Sequence, residues 1–140
     1  MTDNTFAVGL DIGKTQIKAG VVDADGSVHR RKVRDTDLNG GANAILSQCQ
    51  DIVDTVVANT NDDLQGIGIG ATGEIDSTAG TIISEGTIDG WENIPIADQY
   101  EDRYDLPVAV ENDVFAAALG ENHFGSVGGT EVVGYVIIGT

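Results

Sequence analysis

The chain has one cysteine, Cys49, in 140 residues. That excludes an intrachain disulfide and any cysteine-built metal site, and Cys49 is expected to pack as a small apolar residue inside a helix. Aromatics are scarce as well, seven in all, so Val, Ile, Leu and Ala must fill the core of a chain that is 41% hydrophobic. Prolines number two against 19 glycines; both punctuate apolar runs rather than cluster, which predicts tight turns instead of disorder. No apolar run approaches the roughly 20 residues of a membrane span, and no basic segment opens the chain as a secretory leader requires. A soluble, cytoplasmic protein without a membrane partner is expected. The length suits one domain with a real core, or part of a two-domain protein.

Positive charge is the other scarce commodity. Seven bases face 23 acids, for a net charge of −16, and beyond residue 35 only Arg103 is basic. Nucleic acid is therefore excluded as a partner, since nothing offsets phosphate repulsion over a broad face. The acids are mostly Asp and are scattered rather than gathered in a tail. Such a surface suits strong screening, as in a cytoplasm of high ionic strength; an ordinary acidic protein would share the composition.

The N-terminal stretch Phe6 to Val22 reads as two β-strands, Phe6–Leu10 and Gln16–Val22, joined by a tight polar turn. Ser27 to Arg34 reads as a third antiparallel strand, whose bases suit a solvated edge or a phosphate patch. Apolar residues at Ile45, Cys49, Ile52, Val53 and Val56 predict an amphipathic helix over 42–58. Gln65 to Gly70 reads as a buried strand, Glu74 to Asp76 as the start of a loop, Gly80 to Ser84 as a short strand, and Gly90 to Pro95 as a turn. A helix over 96–104, a buried strand Leu106–Val110, a helix over 114–123 and a final strand over 131–138 complete the order. Crossover helices between strands imply an α/β fold with a mixed sheet. In such folds ligands bind at the carboxyl ends of strands, here Asp11, the Ala71-Thr72-Gly73 turn and Asp113.

Asp11, at a strand end before Gly13 and Thr15, can hold a Mg²⁺ while turn amides and the Thr hydroxyl face a phosphate. An ordinary hairpin with a solvated Asp would show the same string. Asp113, after a buried strand and at the first turn of a helix, can take a proton from an attacking hydroxyl, and Asn112 can hydrogen-bond a sugar hydroxyl. Both would equally serve as helix caps.

Together, DIGKTQIKAGVVDADG near the start and LPVAVENDVFAAALGE a hundred residues on resemble the ROK family of sugar kinases and related repressors. GIGIGATGEIDSTAGTI and DGWENIPI between them follow the same order. The resemblance implies a ribonuclease-H-like, actin-like ATPase domain with a mixed five-stranded sheet and flanking helices. It implies phosphorylation of a hexose or N-acylhexosamine by ATP with Mg²⁺, in a homodimer. Carried onto this chain, Asp113 is the catalytic base and Asn112, Thr72, Gly73 and Glu85 line the sugar side. Gly13, Lys14 and Thr15 meet the ATP phosphates, and Asp11 takes the metal. Lys14 stands where the family has a second Gly; it can reach the γ-phosphate or serve solubility. The resemblance divides the chain into a lobe, 1–124, and the first strand of a second lobe, 125–140, cut within a GTGxG-like loop and incomplete for activity. A DNA-binding helix-turn-helix has no room before Asp11. A sugar-sensing module without catalysis, or a purely structural lobe, are the rival readings.

The charge generates a direct test. The Debye length shrinks from about 10 Å at 0.1 M salt to about 3 Å at 1 M, so self-repulsion should fade and the melting temperature in KCl should rise towards molar salt. A curve that is flat or falling over that range rejects the high-salt reading.

Overall fold

In a computed structural model, residues 5–23, 27–58 and 63–112 are described. Strands β1 (Thr5–Ile12), β2 (Gln16–Asp23) and β3 (Val28–Asp35) form the antiparallel half of a five-stranded sheet. Helix α1 (Gly41–Val57) leads to β4 (Asp63–Ala71), and β8 (Val108–Asn112) closes the opposite edge. The order is β3-β2-β1-β4-β8, with β4 parallel to both β1 and β8. Between β4 and β8 lie a small antiparallel sheet of β5 (Glu74–Asp76), β6 (Thr81–Ser84) and β7 (Glu92–Ile94), and helix α2 (Ile96–Tyr104).

Continuous runs bury where both faces of a strand are covered. Ala7 to Leu10 on β1 and Gly66 to Ala71 on β4 are all buried, the signature of central strands in a mixed sheet. Helix α1 contributes Ile45, Cys49, Ile52, Val53 and Val56, each 1% exposed or less. Each such aliphatic side chain contributes about 1.5–3 kcal/mol of burial, so the stripe, rather than helix propensity, holds α1 to β1, β2 and β3. Burial also pushes the Cys49 thiol well above its ordinary range, which keeps it an inert packing residue. Strand β3 is exposed along its whole length, so its bases form a solvated edge.

Most expected elements lie where the periodicity places them, and α2 coincides with its expected span. Three differ. Glu74–Asp76 and Glu92–Ile94, read as a loop and a turn, are strands pairing with β6. Three-residue strands carry no period to read; backbone pairing creates them. Strand β8 is displaced by two residues from the expected Leu106–Val110: it starts at Val108 and ends at Asn112, where Ala71 of β4 pairs with it. The expected helix over 114–123 and strand over 131–138 fall outside the described residues.

Helices α1 and α2 are joined by a polar clamp. Arg103 Nη2 lies 2.6 Å from Asp54 Oδ2, and the Tyr104 hydroxyl donates to Asp54 Oδ1 at 2.6 Å. The Arg103 guanidinium first, with Tyr104 adding to it, holds the Asp54 carboxyl below the ordinary range. A depressed folded-state value contributes stability above the unfolded carboxylate range and loses it as pH falls through the folded one. Both charged groups are over 40% exposed, so solvent screening caps the effect. Asp54→Asn should cost under about 1 kcal/mol at pH 7, and in acid melts the gap between wild type and variant should begin to narrow near the unfolded value of about pH 3.9 and close only below the depressed folded one.

Candidate functional site

The register of the parallel strands places the candidate residues at one edge of the sheet. Ile12, Ala71 and Asn112 form one row across β1, β4 and β8, and Asp11, Gly70 and Glu111 form the row before it. Asp11 is half-buried, and Lys18 of β2 stands opposite it. Glu111, also half-buried, shares the Asp11 row two strands away, a placement that only the pairing makes visible.

The β1–β2 turn is closed by the Gly13 amide donating to the Gln16 carbonyl at 3.0 Å. A Cβ on residue 13 would sit 2.9 Å from that carbonyl oxygen, so glycine is required by the closeness of the turn. Lys14 and Thr15 form its exposed tip. Thr36 anchors the turn from outside: its hydroxyl donates to the Gly13 carbonyl at 2.8 Å and its amide to the Thr15 carbonyl at 2.9 Å. Sequence reasoning missed Thr36. The strand register was the available signal, since pairing Gln16 with Asp35 puts residue 36 beside residue 15.

The β4–β5 turn meets this edge. The Thr72 amide donates to the Ile12 carbonyl at 3.2 Å, and Asn112 Nδ2 donates to the Gly73 carbonyl at 3.0 Å. Gly73 has φ +100°, and a Cβ there would lie 2.5 Å from the Ser84 carbonyl oxygen and 2.9 Å from Glu85 Cβ. Strain and close approach thus both demand glycine, and the approach brings the loop after β6 onto the turn.

That loop, 85–91, is folded on itself by Glu85 amide to Trp91 carbonyl and Trp91 amide to Ile88 carbonyl bonds, both 3.1 Å. It also docks the first turn of α1, whose Ala42 amide donates to the Asp89 carbonyl at 2.8 Å. Trp91 is 1% exposed beneath a depression of about 420 Å³ lined by Ser84, Glu85, Thr87, Asp89 and Glu92 among others. Glu85 reaches back across the edge: its carboxylate lies 3.2 Å from Lys14 Nζ. It also accepts from the Thr87 hydroxyl at 2.7 Å and the Thr87 amide at 2.5 Å. Thr87, with Lys14 adding to it, holds the Glu85 carboxyl below the usual range. Thr87 was also missed, and nothing in its spacing marks it.

The edge therefore unites Asp11, Gly13, Lys14, Thr15, Thr72, Gly73, Glu85 and Asn112. Asp113, the expected base, lies outside the described residues. Among the described residues no three His, Cys, Asp or Glu side chains cluster as ligands for a resident metal.

The chain is similar to known proteins. A glucokinase of Streptomyces coelicolor is 35% identical over 135 residues, covering 96% of this chain and 41% of its own length. A solved ROK glucokinase of Streptomyces griseus, in complex with glucose and AMPPNP, superposes with a TM-score of 0.73 at 36% identity. That match covers 86% of this chain and 37% of the other. A xylose repressor of Caldicellulosiruptor bescii is 27% identical over 135 residues, covering 94% of this chain and 34% of the repressor. The chain thus spans less than half the length of these relatives. Its mixed five-stranded sheet with flanking helices is the actin-like ATPase fold of the ROK kinase structures. With the ROK family model matching residues 7–140, the edge just described included, the chain belongs to the ROK family.

Proposed function

We propose that this chain carries part of an ATP-dependent sugar kinase that phosphorylates a hydroxyl of a hexose or N-acylhexosamine. The observation that supports this most is the meeting of a phosphate-type turn, 13–16, with a polar turn, 72–73, and Asn112 at three parallel strand ends. Kinase relatives add weight at the family level.

In this reading the turn amides, the Thr15 hydroxyl and Lys14 meet the ATP phosphates. Asp11 holds Mg²⁺, which supplies charge neutralisation on those phosphates. Asn112, its rotamer fixed by the bond to Gly73, orients the sugar, with Thr72 and Glu85 beside it. Asp113 removes the proton from the attacking hydroxyl. Residues 1–124 form one lobe and 125–140 open a second, in a cytoplasmic homodimer. No helix of the described residues is long and apolar enough to cross a membrane. The xylose repressor match supports a second reading, a sugar-sensing module without phosphoryl transfer.

ADP release separates the two. The chain is assayed alone and fused to the C-terminal portion of a ROK glucokinase, with Mg·ATP and glucose, fructose, N-acetylglucosamine or N-acetylmannosamine. We expect turnover on one sugar, lowered by about 10²–10⁴-fold in Asp113→Asn. Turnover that survives this substitution rejects Asp113 as the base. Sugar binding with no ADP from either form favours the sensing module.

A further inference from the structure

Lys14 and Glu85 face each other across the candidate site, and the pairing is unusual in how little holds one of its members. Lys14 sits at the tip of the 13–16 turn on a flexible stem, its side chain 47% exposed; the Glu85 side chain is only 10% exposed. Glu85 is held independently by the hydroxyl and amide of Thr87. It is placed against Gly73 by a backbone approach that excludes a Cβ. Removing Lys14 thus leaves Glu85 hydrogen-bonded, whereas removing Glu85 leaves Lys14 with no other ion pair among the described residues.

We propose that Lys14 and Glu85 form a latch, closed without nucleotide and opened when the terminal phosphate of a nucleoside triphosphate draws Lys14 away from Glu85. The latch rests on the turn 13–16 being the phosphate site. It adds a consequence which that reading lacks: nucleotide binding is transmitted to the 85–91 loop, and Glu85 becomes a positioning residue for the sugar side rather than a fixed wall.

The energetics permit the exchange. A half-exposed Lys–carboxylate pair at 3.2 Å is weak, because solvent screens it. A triphosphate presents several negative charges together with oriented acceptors, and a lysine meets it as a mobile point charge. Glu85 meanwhile keeps both Thr87 bonds, so opening strands no buried carboxylate. Because Lys14 must leave Glu85 before it can serve the phosphate, Glu85 acts as an internal competitor. Coupling of this kind is reciprocal: whatever loosens Glu85 from Lys14 must strengthen phosphate binding equally.

The test is a double-mutant cycle on the whole chain, reading the dissociation constant of Mg·AMPPNP by amide NMR titration. The variants are Glu85→Gln, Lys14→Met and the pair together; both positions lie in loops outside the hydrophobic core. We expect Glu85→Gln to tighten binding about two- to fivefold, Lys14→Met to weaken it, and Glu85→Gln to add nothing in the Lys14→Met background. Equal tightening in both backgrounds would mean that Glu85 acts only through its charge, and overturns the latch. So does an unchanged constant in Glu85→Gln.

The Thr87 amide resonance gives a second readout that survives even if Lys14→Met binds too weakly to titrate. On adding Mg·AMPPNP to wild type it should move towards its position in nucleotide-free Lys14→Met. A Thr87 amide that stays put while the amides of 13–16 shift refutes the latch and leaves the phosphate site standing. No shift at 13–16 with any concentration of nucleotide, in the chain alone and in its fusion to the C-terminal portion of a ROK glucokinase, removes both.

Discussion

Strand β1 is hydrogen-bonded on both sides, antiparallel to β2 and parallel to β4, and its register governs everything at the candidate site. A one-residue slip would reverse the face of every side chain along it, carrying Asp11 onto the face where Leu10 and Ile12 now pack. Burial of Val8, Leu10 and Ile12 against Ile17, Ala19 and Val21, all 2% exposed or less, makes that slip prohibitive. The hydrophobic core thus decides where one carboxylate stands. It also decides where the turn begins, since the same register ends β1 at Ile12 and leaves Gly13 to start the reversal.

A second constraint lies at Gly73. The chain passes so close to the Ser84 carbonyl there that the β4–β5 turn and the end of β6 are packed directly on each other. Asn112 ties this turn to β8 and Thr72 ties it to β1. The 85–91 loop, far from β1 in sequence, is placed beside the 13–16 turn by backbone contact. A bulkier residue at 73 would push the loop away and break the geometry without touching any polar side chain.

What was legible in the sequence follows from how local its cause is. The α1 stripe and the 96–104 helix were readable because one face of 3.6-residue periodicity is written in consecutive residues. The hairpin strands and the basic edge of β3 were readable for the same reason with period two. The strands at 74–76 and 92–94 were not, because their only cause is β6 between them. At the site, Asp11, Gly13, Thr15 and Asn112 announced themselves by residue type at strand ends. Thr36 and Thr87 did not, since a threonine that supports another group has no signature of its own. Lys14 was legible as a cation in the right turn, but its partner was fixed only by the Gly73 approach, a tertiary fact.

These features divide the site into fixed and movable parts. The backbone of the 13–16 turn is locked by its own closing bond and by two bonds from Thr36, and dipoles preset in this way act most effectively because they need no reorganisation. A chain of net charge −16 gains nothing from long-range attraction to a polyphosphate, so any affinity for one would have to come from short-range groups. The cations are correspondingly local: Lys14 at the tip of the turn and Lys18 opposite Asp11. Within an acidic surface a lysine at such a turn will find a carboxylate whenever no anion is present, and here that carboxylate is Glu85. The resting pair is thus a consequence of placing a cation in an acidic molecule, and in the proposed function an incoming phosphate would have to compete with it.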